Sequence, residues 1–252
     1  MSSQNLPLTP GPSPRQLIAT LRAQIARLEG SHRPISGDRV SSGSADLDRW
    51  LPGRGFHRGT LVEWLAAGAG HGAETLALGV AREAARAGGA VVVLDGSQAF
   101  YPPAAVGAGI ELERLIVVRP ANGADYVWAL DQVLRCTGVA ALLARPDRLD
   151  GRTFRRLQLA AEEAGGLALL VRPPEARSEP SWADVRFWVE PLPAAAGRAR
   201  GRRLRIDLLH CRGSASGTSI EVEIDDATHT LHWTPAPGQS EAGSRKWEAT
   251  AG

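Results

Sequence analysis

The sequence predicts an α/β fold: a three-layer core around a mixed, mainly parallel sheet. Two observations carry the prediction. Short apolar runs at 61–65, 90–94, 115–118, 140–143 and 167–171 alternate with helical patterns. Strands that alternate with helices imply a parallel sheet covered on both faces. Beyond Val171 the alternation stops. Runs at 185–190, 204–209, 219–224 and 230–233 then follow one another, with glycine-marked turns at 197–201 and 213–217. These read as antiparallel strands that extend the same sheet.

The elements can be justified in order. Residues 1–13 are rich in Pro and Ser, a composition that favours disorder. Residues 16–28 read as an amphipathic helix, with Leu17, Ile18, Leu21, Ile25 and Leu28 on one stripe. A lone short helix cannot bury such a stripe, so it either packs back on the core or docks on a partner. Residues 35–59 read as a linker and lead-in. Helices are expected at 75–87, 101–107, 126–135 and 152–164, and a Pro- and Ser-containing loop at 172–183. The expected division is an arm at 1–37, a core at 38–234 and a polar, disordered tail at 235–252.

The turn after the first strand is the most informative segment. Ala66-Ala67-Gly68-Ala69-Gly70-His71-Gly72-Ala73-Glu74-Thr75 joins a strand to a helix, the setting of a phosphate-binding loop, G-x-x-x-x-G-K-[ST]. Counted from Gly72, the lysine position holds Ala73 and the next holds Glu74. The chain's single lysine is Lys246, so no neighbour substitutes. Gly68, Gly70 and Gly72 could still cradle an anion with backbone N–H groups; alternatively the turn is kept for the connection alone. Glu74 complements the positive end of its helix and would repel phosphate.

Composition bounds the rest. The net charge is +2, and all but one of the 29 basic residues are arginine, the bidentate and permanently charged phosphate ligand. Cys136 and Cys211 lie far apart with no leader segment ahead of them, which argues against a disulfide framework. No apolar run approaches membrane-spanning length. The expectation is a soluble cytoplasmic protein without a metal site or cofactor. The six histidines show no ligand spacing with the cysteines, and no nucleophile is paired with a base.

Two stretches resemble recombinases of the RecA superfamily. Val40-Ser41-Ser42-Gly43-Ser44-Ala45-Asp46-Leu47-Asp48 is similar to that family's I-S-T-G-x-x-x-L-D. Gly55-Phe56-His57-Arg58-Gly59-Thr60-Leu61-Val62-Glu63 is similar to G-L-P-x-G-R-I-V-E. The resemblance runs over about 38–233 and includes the acidic strand end Asp95. It implies an ATPase site, and the departures all fall on that machinery. Ala73 replaces the lysine. Ser97 and Gln98 occupy the region of the catalytic glutamate. Ala144 followed by Arg145 stands where a metal-holding aspartate ends the Walker B strand. Arg172-Pro173 replaces the sensor. Phosphoryl transfer is nearly all positioning and charge neutralisation, so these losses together should abolish it.

A RecA-like chain with a degenerate loop resembles the ImuA family, accessory proteins of damage-induced mutagenesis in the SOS response. That resemblance implies a non-catalytic, nucleoid-associated factor in translesion synthesis and DNA repair. Its implied partners are an ImuB-like inactive Y-family homologue, an error-prone C-family polymerase, and RecA. The alternative is a SulA-like division inhibitor that binds FtsZ.

Other residues invite function. Arg198, Arg200, Arg202, Arg203 and Arg205 crowd what reads as a hairpin tip, a candidate phosphate contact or a solvated turn. His210 and Arg212 occupy the place of a basic pair that reaches a filament neighbour in the resembled family; a strand end facing solvent is the alternative. The loops at 146–151 and 172–183 stand where that family binds single strands, with Arg172, Arg177 and Trp182 in the second. Only weak single-stranded DNA binding is expected there, and Trp182 reads as a packing residue. Trp64, Trp188 and Trp233 read as core.

Overall fold

A computed structural model of the chain describes residues 39–68, 70–193, 201–213, 217–225 and the backbone of 231–235. The helical arm with its stripe Leu17, Leu21, Ile25 and Leu28, the tail, Arg198 and Arg200 lie outside the described residues.

Nine strands form one sheet. In chain order they are β3 (Leu61–Ala66), β4 (Ala90–Leu94), β5 (Leu115–Val118), β6 (Val139–Ala144), β7 (Leu167–Arg172), β8 (Val185–Leu192), β9 (Arg202–Cys211), β10 (Ser219–Ile224) and β11 (Leu231–Pro235). The spatial order is β11-β10-β9-β8-β3-β7-β6-β4-β5. Every pair from β5 to β8 is parallel, and every pair from β8 to β11 is antiparallel.

Burial explains the two sequence textures. β3, β4 and β6 are buried at every residue, so they read as apolar runs, interrupted only by Glu63 in β3. β9 alternates: Leu204, Ile206 and Leu208 are buried, while Arg203, Arg205 and Asp207 face the other way. The helix α2 (Ala73–Ala85) packs Leu76, Ala77, Val80, Ala81 and Ala84 on one face of the sheet. The short α3 (Pro102–Gly107) adds Ala105 there. Helices α4 (Gly123–Leu134) and α5 (Gly151–Ala164) cover the opposite face with Leu130, Val133, Phe154 and Leu157. Side-chain caps fix where these two begin. Asn122 accepts from the Asp125 N–H at 3.0 Å, and Asp150 accepts from the Arg152 and Thr153 N–H groups at 3.0 Å.

The lead-in read as a linker is folded. The strands β1 (Arg39–Val40) and β2 (Phe56–His57) pair antiparallel and flank the one-turn α1 (Ala45–Asp48). Asp48 accepts from Ser41 Oγ at 2.6 Å and from the Ser42 N–H at 2.7 Å, while Ser44 caps α1. Val40, Leu47, Leu51 and Phe56 join the core, and Phe56 meets Phe187 edge-on at 6.3 Å. Side-chain hydrogen bonds to backbone, not periodicity, order this clasp.

Trp64 is buried and stacks on Phe187 at 4.6 Å, as a core residue should. Trp188 departs from that expectation. It lies on the outward face of β8, half-buried, with the Arg177 guanidinium 4.7 Å from its ring and its Nε1 donating to Glu190 at 3.1 Å. The side chain of Trp233 is outside the described residues.

Candidate functional site

The C-terminal ends of the parallel strands open into a cleft of about 460 Å³, in the crevice where open α/β sheets bind ligands. Its floor is the glycine turn. Gly70 and Gly72 have φ of +76° and +86°, a backbone region that glycine enters without strain. A Cβ on Gly72 would collide with Leu204, and one on Gly68 would lie 2.7 Å from the His71 ring. The turn therefore packs against β9 on one side and folds His71 over itself on the other. Ala73 and Thr75 line the cleft from the first turn of α2.

Across this cleft runs an ion-pair cluster. Arg145, the residue after Ala144 at the end of β6, directs Nη1 to Glu74 at 3.2 Å. Its Nη2 reaches Asp95 and Ser97 Oγ, both at 3.3 Å. The Arg145 backbone N–H donates to the Tyr126 hydroxyl at 2.8 Å. Burial pushes the Tyr126 hydroxyl up to about 12, so it stays protonated. Asp95 is fully buried and also accepts from Arg119 at 3.3 Å and from the Ala99 N–H at 3.0 Å. Burial alone would raise the Asp95 pKa. The Phe100 N–H, Arg119, the Ala99 N–H and Arg145 together outweigh it, and the carboxyl is held below its ordinary value.

A second cluster is buried beneath. Glu63, in the middle of β3, accepts from Arg172 Nη1 at 2.8 Å, Arg186 Nε at 2.6 Å and Ser181 Oγ at 2.8 Å. Arg172, the last residue of β7, also donates to Glu179 at 2.6 Å and to the Asp147 carbonyl at 3.2 Å. One buried guanidinium thus ties the loop after β6 and the loop after β7 to the central strand.

Residues 21–145 match the RecA N-terminal domain family. Protein ImuA of Caulobacter vibrioides strain NA1000 / CB15N is 30% identical over 213 residues, covering 77% of this chain and 86% of that protein. The chain belongs to the ImuA family. It is also similar to Protein RecA of Rhodopirellula baltica, 31% identical over 114 residues, 45% of this chain and 30% of that one. Protein RecA of Zymomonas mobilis is 34% identical over 122 residues, 48% of this chain and 34% of that one. The matched region thus spans about a third of these RecA proteins and most of the Caulobacter ImuA.

In this ImuA-family chain three of the clustered arginines belong to a strand, while Arg198 and Arg200 lie outside the described residues. Arg202, Arg203 and Arg205 lie within β9, because the strand begins earlier than the apolar pattern suggested. Arg203 bonds to Glu221 on the neighbouring strand. Arg205 pairs with Asp207 at 3.0 Å and Glu190 at 3.4 Å, and these carboxylates hold its pKa above the ordinary arginine value. Arg202 lines the cleft. His210 and Arg212 are at the other end of β9. The register Val185↔Cys211 places them beside the start of β8, at the opposite end of the sheet from the cleft. There Arg212 pairs with Asp184 at 3.3 Å.

The loop after β7 is partly a 3-10 turn, Pro174–Ser178, anchored by buried Ala176. Trp182 is not the packing residue expected: it is 45% exposed, with the Arg155 guanidinium 5.0 Å from its ring centroid. Among the described residues, no three His, Cys, Asp or Glu side chains gather as a metal set, and no helix is long and apolar enough to cross a membrane.

The pairings of Arg145 and Arg172 were missed in the sequence. One signal was present: Glu63 is a lone charge inside an otherwise apolar strand, which forecasts a buried partner.

Proposed function

We propose that this chain is a non-catalytic accessory factor of damage-induced, error-prone translesion DNA synthesis. It works in the cytoplasm, at the nucleoid, and bridges an ImuB-like inactive Y-family homologue and a C-family polymerase, with RecA or single-stranded DNA as a further contact. The bridging part rests on the likeness to Protein ImuA over most of both chains.

The observation that carries the non-catalytic part is Arg145, held between Glu74 and Asp95. A magnesium nucleotide does not fit these residues. Ala73 offers no charge to a phosphate, Glu74 faces the cleft with a carboxylate, and Ala144 cannot hold a metal's water shell. Asp95 is already committed to two guanidiniums. The protein's own ion pairs supply the charge balance that a nucleotide and its metal would bring. The fold then serves as a surface. The division-inhibitor reading has no observation in its favour.

Affinity capture of the full chain from DNA-damaged cells, with mass spectrometry of the bound proteins, tests the reading. Recovery of an inactive Y-family homologue or a C-family polymerase is the expected result. Recovery of FtsZ without either polymerase would overturn it.

A further inference from the structure

The strand order leaves β5 at one edge of the sheet, with β4 as its neighbour. One bond fixes which way its backbone faces. The Asp95 N–H donates to the Val118 carbonyl at 2.8 Å, so Val118 turns its polar groups to β4. Alternate residues of a strand turn the same way, which sends Ile116 to β4 and leaves Leu115, Val117 and Arg119 facing outward. The Leu115 N–H is taken by the Leu112 carbonyl. Among the described residues, nothing meets the N–H and C=O that Val117 presents across this edge.

Natural edges are blunted by lysine, proline or a bulge. Leu115-Ile116-Val117-Val118 has neither residue, and its register with β4 runs without a bulge. The strand is short, but its apolar character continues into Leu112, which is 57% exposed. The two ends of this edge differ in charge. Glu111 and Glu113 are exposed at its start, and Arg119 is exposed at its end. Glu113 has no ion pair among the described residues, whereas Arg119 spends one contact on Asp95.

We propose that β5 pairs antiparallel with the β5 of a second copy of this chain, about a twofold axis at Val117, so that one sheet runs through both. Each Val117 N–H then donates to the other copy's Val117 carbonyl. The same register sets Leu115 opposite Arg119 of the other copy and brings Glu113 beside that guanidinium. An edge that is acidic at one end and basic at the other is complementary to itself only when antiparallel, which is the self-matching that a twofold interface requires. The acidic end also argues against nucleic acid as the occupant. This pairing goes beyond the bridging function and does not rest on it.

Sedimentation equilibrium of the full chain tests the proposal, with a monomer–dimer equilibrium as the expected result. Val117→Pro removes an N–H that the single copy does not use, and proline is tolerated on an edge strand in that orientation, so the thermal midpoint should hold. The dimer loses two hydrogen bonds, one from each copy, and its Kd should rise at least about tenfold. Glu113→Arg, on an exposed side chain, should also weaken the dimer, and Val117→Thr should leave it unchanged. Should Val117→Pro fail to fold, Glu113→Arg decides. A chain that stays monomeric, assembly beyond a dimer, or a dimer indifferent to a folded Val117→Pro or to Glu113→Arg overturns the proposal.

Discussion

Arg145→Ala removes a guanidinium shared by Glu74 and Asp95, and leaves the buried Asp95 with Arg119 alone among side chains that pair with it here. The expected cost is about 1–3 kcal/mol, read as a lower midpoint in urea unfolding. Arg172→Ala should cost more, about 3–5 kcal/mol, because it strips a fully buried carboxylate, Glu63, of a fully buried partner. The reverse order would contradict the geometry. Acid should act through Asp95. Its folded pKa is lowered, so its contribution is complete above the ordinary carboxylate value of about 3.9 and is lost as pH falls through the lowered folded value. The stability gap between the native chain and Asp95→Asn should therefore be steady near neutral pH and close in stronger acid. A gap independent of pH would show that Asp95 is not charged in the folded chain.

Two glycines separate close packing from free space. Gly59 and Gly70 share a positive φ, +78° and +76°. A Cβ on Gly59 would stand 2.8 Å from Glu162 Cα and 2.9 Å from the Ala161 carbonyl, on the backbone of α5; one on Gly70 meets nothing within 4 Å. Gly70→Ala should cost about 1 kcal/mol of backbone strain, and Gly59→Ala clearly more, as thermal midpoints would report. These elements also mark how far the sequence could be read. Helices α2, α4 and α5 and all nine sheet strands fall within a few residues of their patterns, because a buried face imposes periodicity. The clasp around Asp48 did not, since its order comes from serine and aspartate side chains on nearby backbone. The start of β9 was hidden because its first two residues are arginines, Arg202 lining the cleft and Arg203 paired with Glu221 on the other face. The glycine turn between β3 and α2 was legible in the sequence. Its ion pairs were not, since Arg145 lies 71 residues from Glu74 and 50 from Asp95. On the arm, Leu17→Glu with Leu21→Glu should abolish polymerase capture if that stripe is the docking helix; unchanged capture would remove it from the bridge.

At the scale of the whole molecule, a specific ligand at a hundred times its Kd adds about 2.7 kcal/mol to stability. Saturating ATP with magnesium should leave this chain's thermal midpoint where it was, because its cleft is balanced from within. A clear rise would show that the cleft does accept a magnesium nucleotide. The sheet order carries a different consequence, for the nascent chain. β3 has β7 and β8 as its two neighbours, and its first pairing joins Leu61 to Ala168. When the ribosome has released residues only as far as 145, the limit of the RecA-domain match, this strand is bare on both edges and Glu63 awaits Arg172 and Arg186. Such long-range closure is slow. A fragment ending at 145 should show no cooperative melting, and chaperones should hold this protein's early translation products until the middle of the sheet can close.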